Sequence, residues 1–172
     1  MALVERREIQ YNKSSEGRAA HIRAALPFLF GTIGFSIPGA FAAKLLNPDK
    51  KVLAVCGDGG FMMNSQELET AVREKVPFVT LIWEDSSYGL IKWKEQEQFH
   101  GEDCYVDFTN PDFKMLAEAM HCKGYRVEKA ADLIPTLEEA FRQSVPSVIV
   151  VSVDYSENMK LSAHLKEVCR KE

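Results

Sequence analysis

The chain has 172 residues, 46% of them hydrophobic and 27% charged, a length and composition that suit one globular domain. Its net charge of -4 argues against nucleic acid as a main partner, and no apolar run approaches the roughly 18 residues of a membrane-crossing helix. The cysteines at 56, 104, 122 and 169 fit neither a CxxC nor a zinc spacing, and no secretion pattern opens the chain, so they read as reduced thiols of a cytoplasmic protein.

Residues 1–30 mix charges without a period and read as an N-terminal arm. From Ser36 the pattern turns helical, with Pro38 in the first turn and a stop before Asn47-Pro48-Asp49. Residues 51–56 form a short apolar run that predicts a buried strand, with Cys56 packed inside it, broken by Gly57-Asp58-Gly59-Gly60. Asn64, with Glu67 three residues on, resembles a capping box and predicts a helix start there. Pro77 ends that helix and residues 78–83 read as the next strand.

A polar stretch covers 84–108, and Asn110-Pro111-Asp112 opens a helix with Phe113, Leu116, Ala117 and Met120 on one face. A brief strand at 125–128 follows, then a helix capped by Asp132 and running to about residue 143, then a β-branched strand at 147–153. Residues 162–172 form a polar tail. Alternating strands and helices predict an α/β fold: a doubly wound, mostly parallel sheet with helices on both faces. In such sheets the strand C-termini share one edge, and ligands bind there.

Two aspartates follow strand ends directly: Asp58 after the strand at 51–56, and Asp85 after the strand at 78–83. Strands that are neighbours, or one removed, lie about 4.8 or 10 Å apart, and either separation lets two edge carboxylates converge on one cation. Gly57, Gly59 and Gly60 allow a sharp turn with close approach of backbone to ligand, and successive amides there favour an anion. Hard oxygen ligands beside amide donors suit Mg2+ carrying a phosphate. Gly-Asp-Gly alone is equally a plain turn with a solvated carboxylate. The glycines match neither GxGxxG nor a Walker A loop.

The stretch from Gly57 to Leu68, with Asp85 placed 27 positions after Asp58, resembles the thiamine-diphosphate motif. Gly31-Thr32-Ile33-Gly34 through Pro38, the segment 83–89, Asn110 to Phe113 and residues 154–161 agree in order, so residues 31–161 resemble the cofactor-binding domain of acetolactate synthase-type enzymes. The resemblance implies thiamine diphosphate and Mg2+ as cofactors. It implies decarboxylation of pyruvate and its joining to a second 2-keto acid, with 2-keto acid decarboxylases and glyoxylate carboligases as nearest rivals. Asp58 and Asp85 fall at the side-chain metal ligands, and Ser87 at a backbone-carbonyl ligand. Gly59, Gly60, Tyr88 and Gly89 fall around the diphosphate, and Gly31 and Gly57 at further cofactor-binding positions. Ile33 stands where the family commonly has a Met that props the bent cofactor.

The resemblance also implies a homo-oligomer, and a glutamate supplied by a pyrimidine-binding domain or subunit. Nothing in these 172 residues resembles that domain, so no catalytic residue is assigned, and the isolated chain is expected to be an inactive fragment or a non-catalytic assembly module. His21, His100, His121 and His164 read as surface or packing residues. Trp83, Tyr88 and Trp93 could line the cofactor groove, with core packing favoured for Trp83. Lys92 to Glu97 reads as a solvated helical face, in a segment 90–108 that closes over ligands in the resemblance.

Overall fold

The four strands form one sheet in which every neighbouring pair is parallel, in the order β1-β2-β4-β3, as a computed structural model describing residues 33–155 shows. The arm at 1–30, Gly31, residues 156–161, the tail at 162–172, Cys169, His21 and His164 lie outside the described residues. In chain order the elements are α1 (Ser36–Leu46), β1 (Leu53–Gly57), α2 (Asp58–Met63), α3 (Glu67–Arg73) and β2 (Val79–Glu84). Then come α4 (Gly89–Gln98), α5 (Phe113–Ala119), β3 (Lys123–Val127), α6 (Ala130–Ala140) and β4 (Ser147–Ser152). The predicted parallel α/β sheet is therefore observed.

Side chains alternate across the sheet and sort its core into two layers. Ala54, Ile82, Val148 and Val150 face one side, where Ile37 and Ala40 of α1, Phe61 of α2, Leu68 and Ala71 of α3, and Phe113 and Ala117 of α5 cover them. Phe61 and Phe113 meet edge to face at 5.2 Å between ring centres. Val79, Leu81, Val127 and Ile149 face the other side, against Ala140, Leu137 and Leu133 of α6. Helices thus lie on both faces, and among the described residues α6 packs mainly on β3 and β4.

That asymmetry corrects one expectation. Trp83 is 43% exposed and Val55 46%, not packed in the core. Both stand at odd positions in their strands, on the side that, among the described residues, α6 covers mainly over β3 and β4. Cys56 points to the other layer and packs against the main core, as expected of a strand residue.

Two predicted helix starts also shift. A helix begins directly at Asp58, so the glycine turn is itself the first turn of α2, and Asn64 ends α2 instead of opening a helix. The Asn64 side chain does not cap α3; its Nδ2 donates to Gly34 O at 3.0 Å, where Gly34 takes a φ of 92°. Likewise α6 begins at Ala130 after Lys129, and Asp132 lies inside its first turn. Asp112 does cap α5: its Oδ1 accepts from Lys114 N at 2.9 Å and Met115 N at 3.1 Å.

Candidate metal and phosphate site

Strands β1 and β2 are neighbours, paired in parallel with Gly57 opposite Trp83. Asp58 therefore leaves the sheet beside Glu84, one residue before Asp85. The two aspartates emerge from adjacent strands at the C-terminal edge, where open α/β sheets bind ligands.

Asp58 is 1% exposed, and its burial is possible because both oxygens of its carboxylate accept hydrogen bonds. Oδ1 accepts from Gly59 N at 2.8 Å. Oδ2 accepts from three donors: Ser86 N at 2.7 Å, Asp85 N at 3.1 Å and Asn110 Nδ2 at 2.7 Å. The Asp58 side chain thus ties the end of β1 to the loop after β2. Ser86, at φ 57°, turns that loop so that consecutive amides reach one oxygen.

Asp85 is held from its own loop. Its Oδ2 accepts from Ser87 Oγ at 2.9 Å, and its Oδ1 from Ser87 N at 3.4 Å. Gly89 is required beside it, since a Cβ there would stand 2.7 Å from Asp85 Oδ2. Ser87 is 8% exposed and bridges to Asp107 in an antiparallel pair. The bridging bonds run from Phe108 N to Ser86 O and from Tyr88 N to Val106 O, which leaves the Ser87 carbonyl out of that ladder.

Neither Asp58 nor Asp85 pairs with a lysine, arginine or histidine among the described residues. Two adjacent carboxylates without a basic partner repel each other, and a hard divalent cation relieves that repulsion. The donor set of two carboxylates beside a backbone carbonyl fits Mg2+. No group of three or more His, Cys, Asp or Glu side chains able to hold a metal occurs among the described residues, so a third protein ligand would be a backbone carbonyl or a neutral side-chain oxygen.

Of the residues expected around the diphosphate, Gly57, Gly59, Gly60, Tyr88 and Gly89 are described and lie at this edge, with the Gly59 and Tyr88 amides engaged within the protein. The Gly59 amide is taken by Asp58, and the Tyr88 ring lies over Gly59, 2.6 Å from where a Cβ would stand. The Tyr88 amide is taken by Val106 O. Gly60 sits beside Ile33, whose Cγ2 is 3.4 Å from a Cβ placed on that glycine. Gly57 is the last residue of β1 and faces Trp83 O. Tyr88 packs edge-on against Phe108 at 5.0 Å, and the two line a groove of about 360 Å³ with Gly59, Met62, Met63 and Asn110.

A second, wider groove of about 580 Å³ adjoins it along Ser86, Asn110 and Asp112. On its wall Arg126 pairs with Glu84 at 2.7 Å, which raises the guanidinium pKa. Trp93 does not line either of these two grooves; its indole nitrogen is buried without an acceptor. The Tyr155 hydroxyl is pushed up by burial and then by Asp85 and Asp58, and its ring lies 3.7 Å from where a Cβ on Gly89 would stand. His100 and His121 are exposed. Asn110 was not singled out as a site residue from sequence, and its link to Asp58 spans 52 positions.

The chain is similar in sequence and fold to known proteins. The family model described as "Thiamine pyrophosphate enzyme, C-terminal TPP binding domain" matches residues 9–151, starting within the stretch read as an arm. Acetolactate synthase of Bacillus subtilis is 39% identical over 77% of this chain and 23% of its own length. The catabolic acetolactate synthase of Raoultella terrigena is 41% identical over 78% of this chain and 24% of its own. The solved thiamine diphosphate-dependent 4-hydroxybenzoylformate decarboxylase of Rhodococcus jostii superposes with a TM-score of 0.68 at 30% identity, covering 73% of this chain and 24% of that one. The chain spans about a quarter of the length of these relatives. With a match across most of its residues, the chain belongs to the thiamine pyrophosphate enzymes, as a C-terminal TPP binding domain of the kind found in acetolactate synthase-like enzymes.

Proposed function

We propose that this chain holds the diphosphate end of thiamine diphosphate through Mg2+, bound by the carboxylates of Asp58 and Asp85 and the backbone carbonyl of Ser87. It would do so as part of an acetolactate synthase-like enzyme that decarboxylates pyruvate and joins the product to a second 2-keto acid. The observation that carries the reading is the meeting of two carboxylates at neighbouring strand ends, hydrogen-bonded but without a basic partner among the described residues. Gly60 in the first turn of α2 and Gly89 at the start of α4 are the amides suited to the diphosphate, because those of Gly59 and Tyr88 are engaged within the protein. Ile33, beside Gly60, would support the cofactor's bend, with Gly31 next to it in sequence.

When bound, the cofactor supplies an electron sink for the charge left by decarboxylation. This chain's residues anchor and orient it. Asp58 fixes the loop after β2, Asp85 and Ser87 present oxygens to the cation, and Tyr88 with Phe108 shields the Gly59 turn from water. The proton chemistry at the other end of the cofactor falls to a glutamate on a pyrimidine-binding domain or subunit, within a homo-oligomer, and the chain alone is inactive. No helix among the described residues is long and apolar enough to cross a membrane.

The structural likeness to a 4-hydroxybenzoylformate decarboxylase favours a second reading, simple decarboxylation of a 2-keto acid. Supplying the chain with a pyrimidine-binding domain and following pyruvate separates the two. Acetolactate as product supports the carboligase reading, and acetaldehyde without acetolactate supports the decarboxylase. Pyruvate turnover by the chain alone would overturn the division of labour.

A further inference from the structure

Asn110 lies in the loop between α4 and α5, where Pro111 restricts its backbone and Asp112 caps the next helix. Its Nδ2 donates twice, to Asp58 Oδ2 at 2.7 Å and to Ser86 Oγ at 3.2 Å. One amide therefore bridges the two strand-end loops that carry the carboxylates. Its own Oδ1 is buried without a hydrogen-bond donor.

Those three facts are connected. Ser86 Oγ could accept from the amide nitrogen or donate to the amide oxygen, so it does not choose the orientation of Asn110. A carboxylate only accepts, so Asp58 does choose, and the reverse orientation would set two oxygens against each other. Keeping this donor on Asp58 turns the Asn110 oxygen to a place where no protein donor among the described residues reaches it.

The donors on Asp58 are unevenly shared. Oδ2 receives three and Oδ1 receives only Gly59 N. A carboxylate offers about four lone-pair directions, two on each oxygen. Oδ2 is filled, while Oδ1 keeps one direction for a cation.

We propose that Asn110 is a positioning residue for the cation site: by holding Oδ2 it leaves Oδ1 of Asp58 as the oxygen that meets the metal. This rests on the reading of Asp58 and Asp85 as cation ligands. Hydrogen bonds that orient a ligand of this kind are worth about 10–100-fold in metal affinity.

The test is Mn2+ binding in the presence of thiamine diphosphate, read by electron paramagnetic resonance, for the full chain and for Asn110→Ala, Asn110→Ser and Asn110→Asp. Circular dichroism and the melting temperature report folding. Asn110→Ala is expected to bind Mn2+ about 10–100-fold more weakly while folded. Asn110→Ser carries the same expectation if alanine does not fold. Asn110→Asp keeps the shape but turns an acceptor toward Asp58, and is expected to weaken Mn2+ at least as much. A purely structural Asn110 would lower the melting temperature and leave the Mn2+ affinity of folded protein unchanged, which would overturn the proposal. Tighter Mn2+ in Asn110→Asp would also overturn it, because residue 110 would then face the ion itself. If the unaltered chain binds no Mn2+, the cation reading fails first and the inference falls with it. Binding by the unaltered chain with an unchanged folded variant sinks the inference alone.

Discussion

Asp58 and Asp85 are both aspartates at strand ends, yet their surroundings assign them different work. Asp58 is buried and takes four donors, so it organises the loop as well as offering an oxygen; among the described residues, the Asp85 carboxylate is bonded to Ser87 alone. Removing Asp58 leaves buried donors unpaired, each costing about 1–3 kcal/mol. Asp58→Ala is therefore expected to lose several kcal/mol of stability together with metal binding. Asp85→Ala is expected to stay within about 1 kcal/mol of the parent while losing the Mg2+ dependence of cofactor binding. Urea denaturation and Mg2+ titration on both variants would check the split, and equal stability losses would contradict it. Both aspartates were legible in the sequence because each directly follows an apolar run. Asn110 was not, because its contact joins residues 52 apart through a loop that no periodicity describes.

The thiols belong to the same scale. Burial pushes the Cys122 thiol up to about 11 from an ordinary 9, and burial does the same to Cys56, while Cys104 is exposed. Alkylation at neutral pH followed by peptide mapping should label Cys104 well before Cys56 or Cys122. The folded state holds the Cys122 proton more tightly than the unfolded state. Its contribution is therefore constant below about pH 9 and is lost as pH rises from there toward 11. Replacing Cys122 by alanine should flatten that part of an alkaline stability profile.

Among the elements, strands were the most legible, since runs such as 147–153 are too apolar and β-branched to sit anywhere but a buried sheet. Observed strands differ from the expected ones by a few residues at their ends. Helix starts were harder. Asn64 and Asp132 have the composition of caps, but Asn64 is drawn to Gly34 O and Asp132 falls inside a turn already begun. Only tertiary contact decides this. Asp112, whose side chain does cap α5, is expected to cost about 1 kcal/mol on replacement by alanine, measurable by thermal denaturation.

A sharper test of packing lies at Gly124 in β3. A Cβ there would stand 2.6 Å from the Lys114 carbonyl of α5, a backbone atom that cannot turn aside. Gly124→Ala is expected to lose about 1–3 kcal/mol, and an unchanged melting temperature would show that α5 can move off the sheet.

At the scale of the molecule, among the described residues, one face of the sheet is covered by four helices and the other by α6. Val55 and Trp83 are exposed on the α6 side. The sequence predicted helices on both faces but not this unevenness, because Trp83 reads as a core residue until the position of α6 is known. What the fold does achieve is local. A parallel register brings Asp58 and the loop of Asp85 together, and the loop before α5 reaches back to hold them.

The central claim is that these two carboxylates bind thiamine diphosphate through a divalent cation. Titration calorimetry of the chain with thiamine diphosphate, with Mg2+ and then with a chelator, tests it most directly. Saturable binding that requires Mg2+ and is lost in a folded Asp85→Ala variant is the predicted result. No binding at millimolar cofactor, or binding indifferent to Mg2+, would contradict the account.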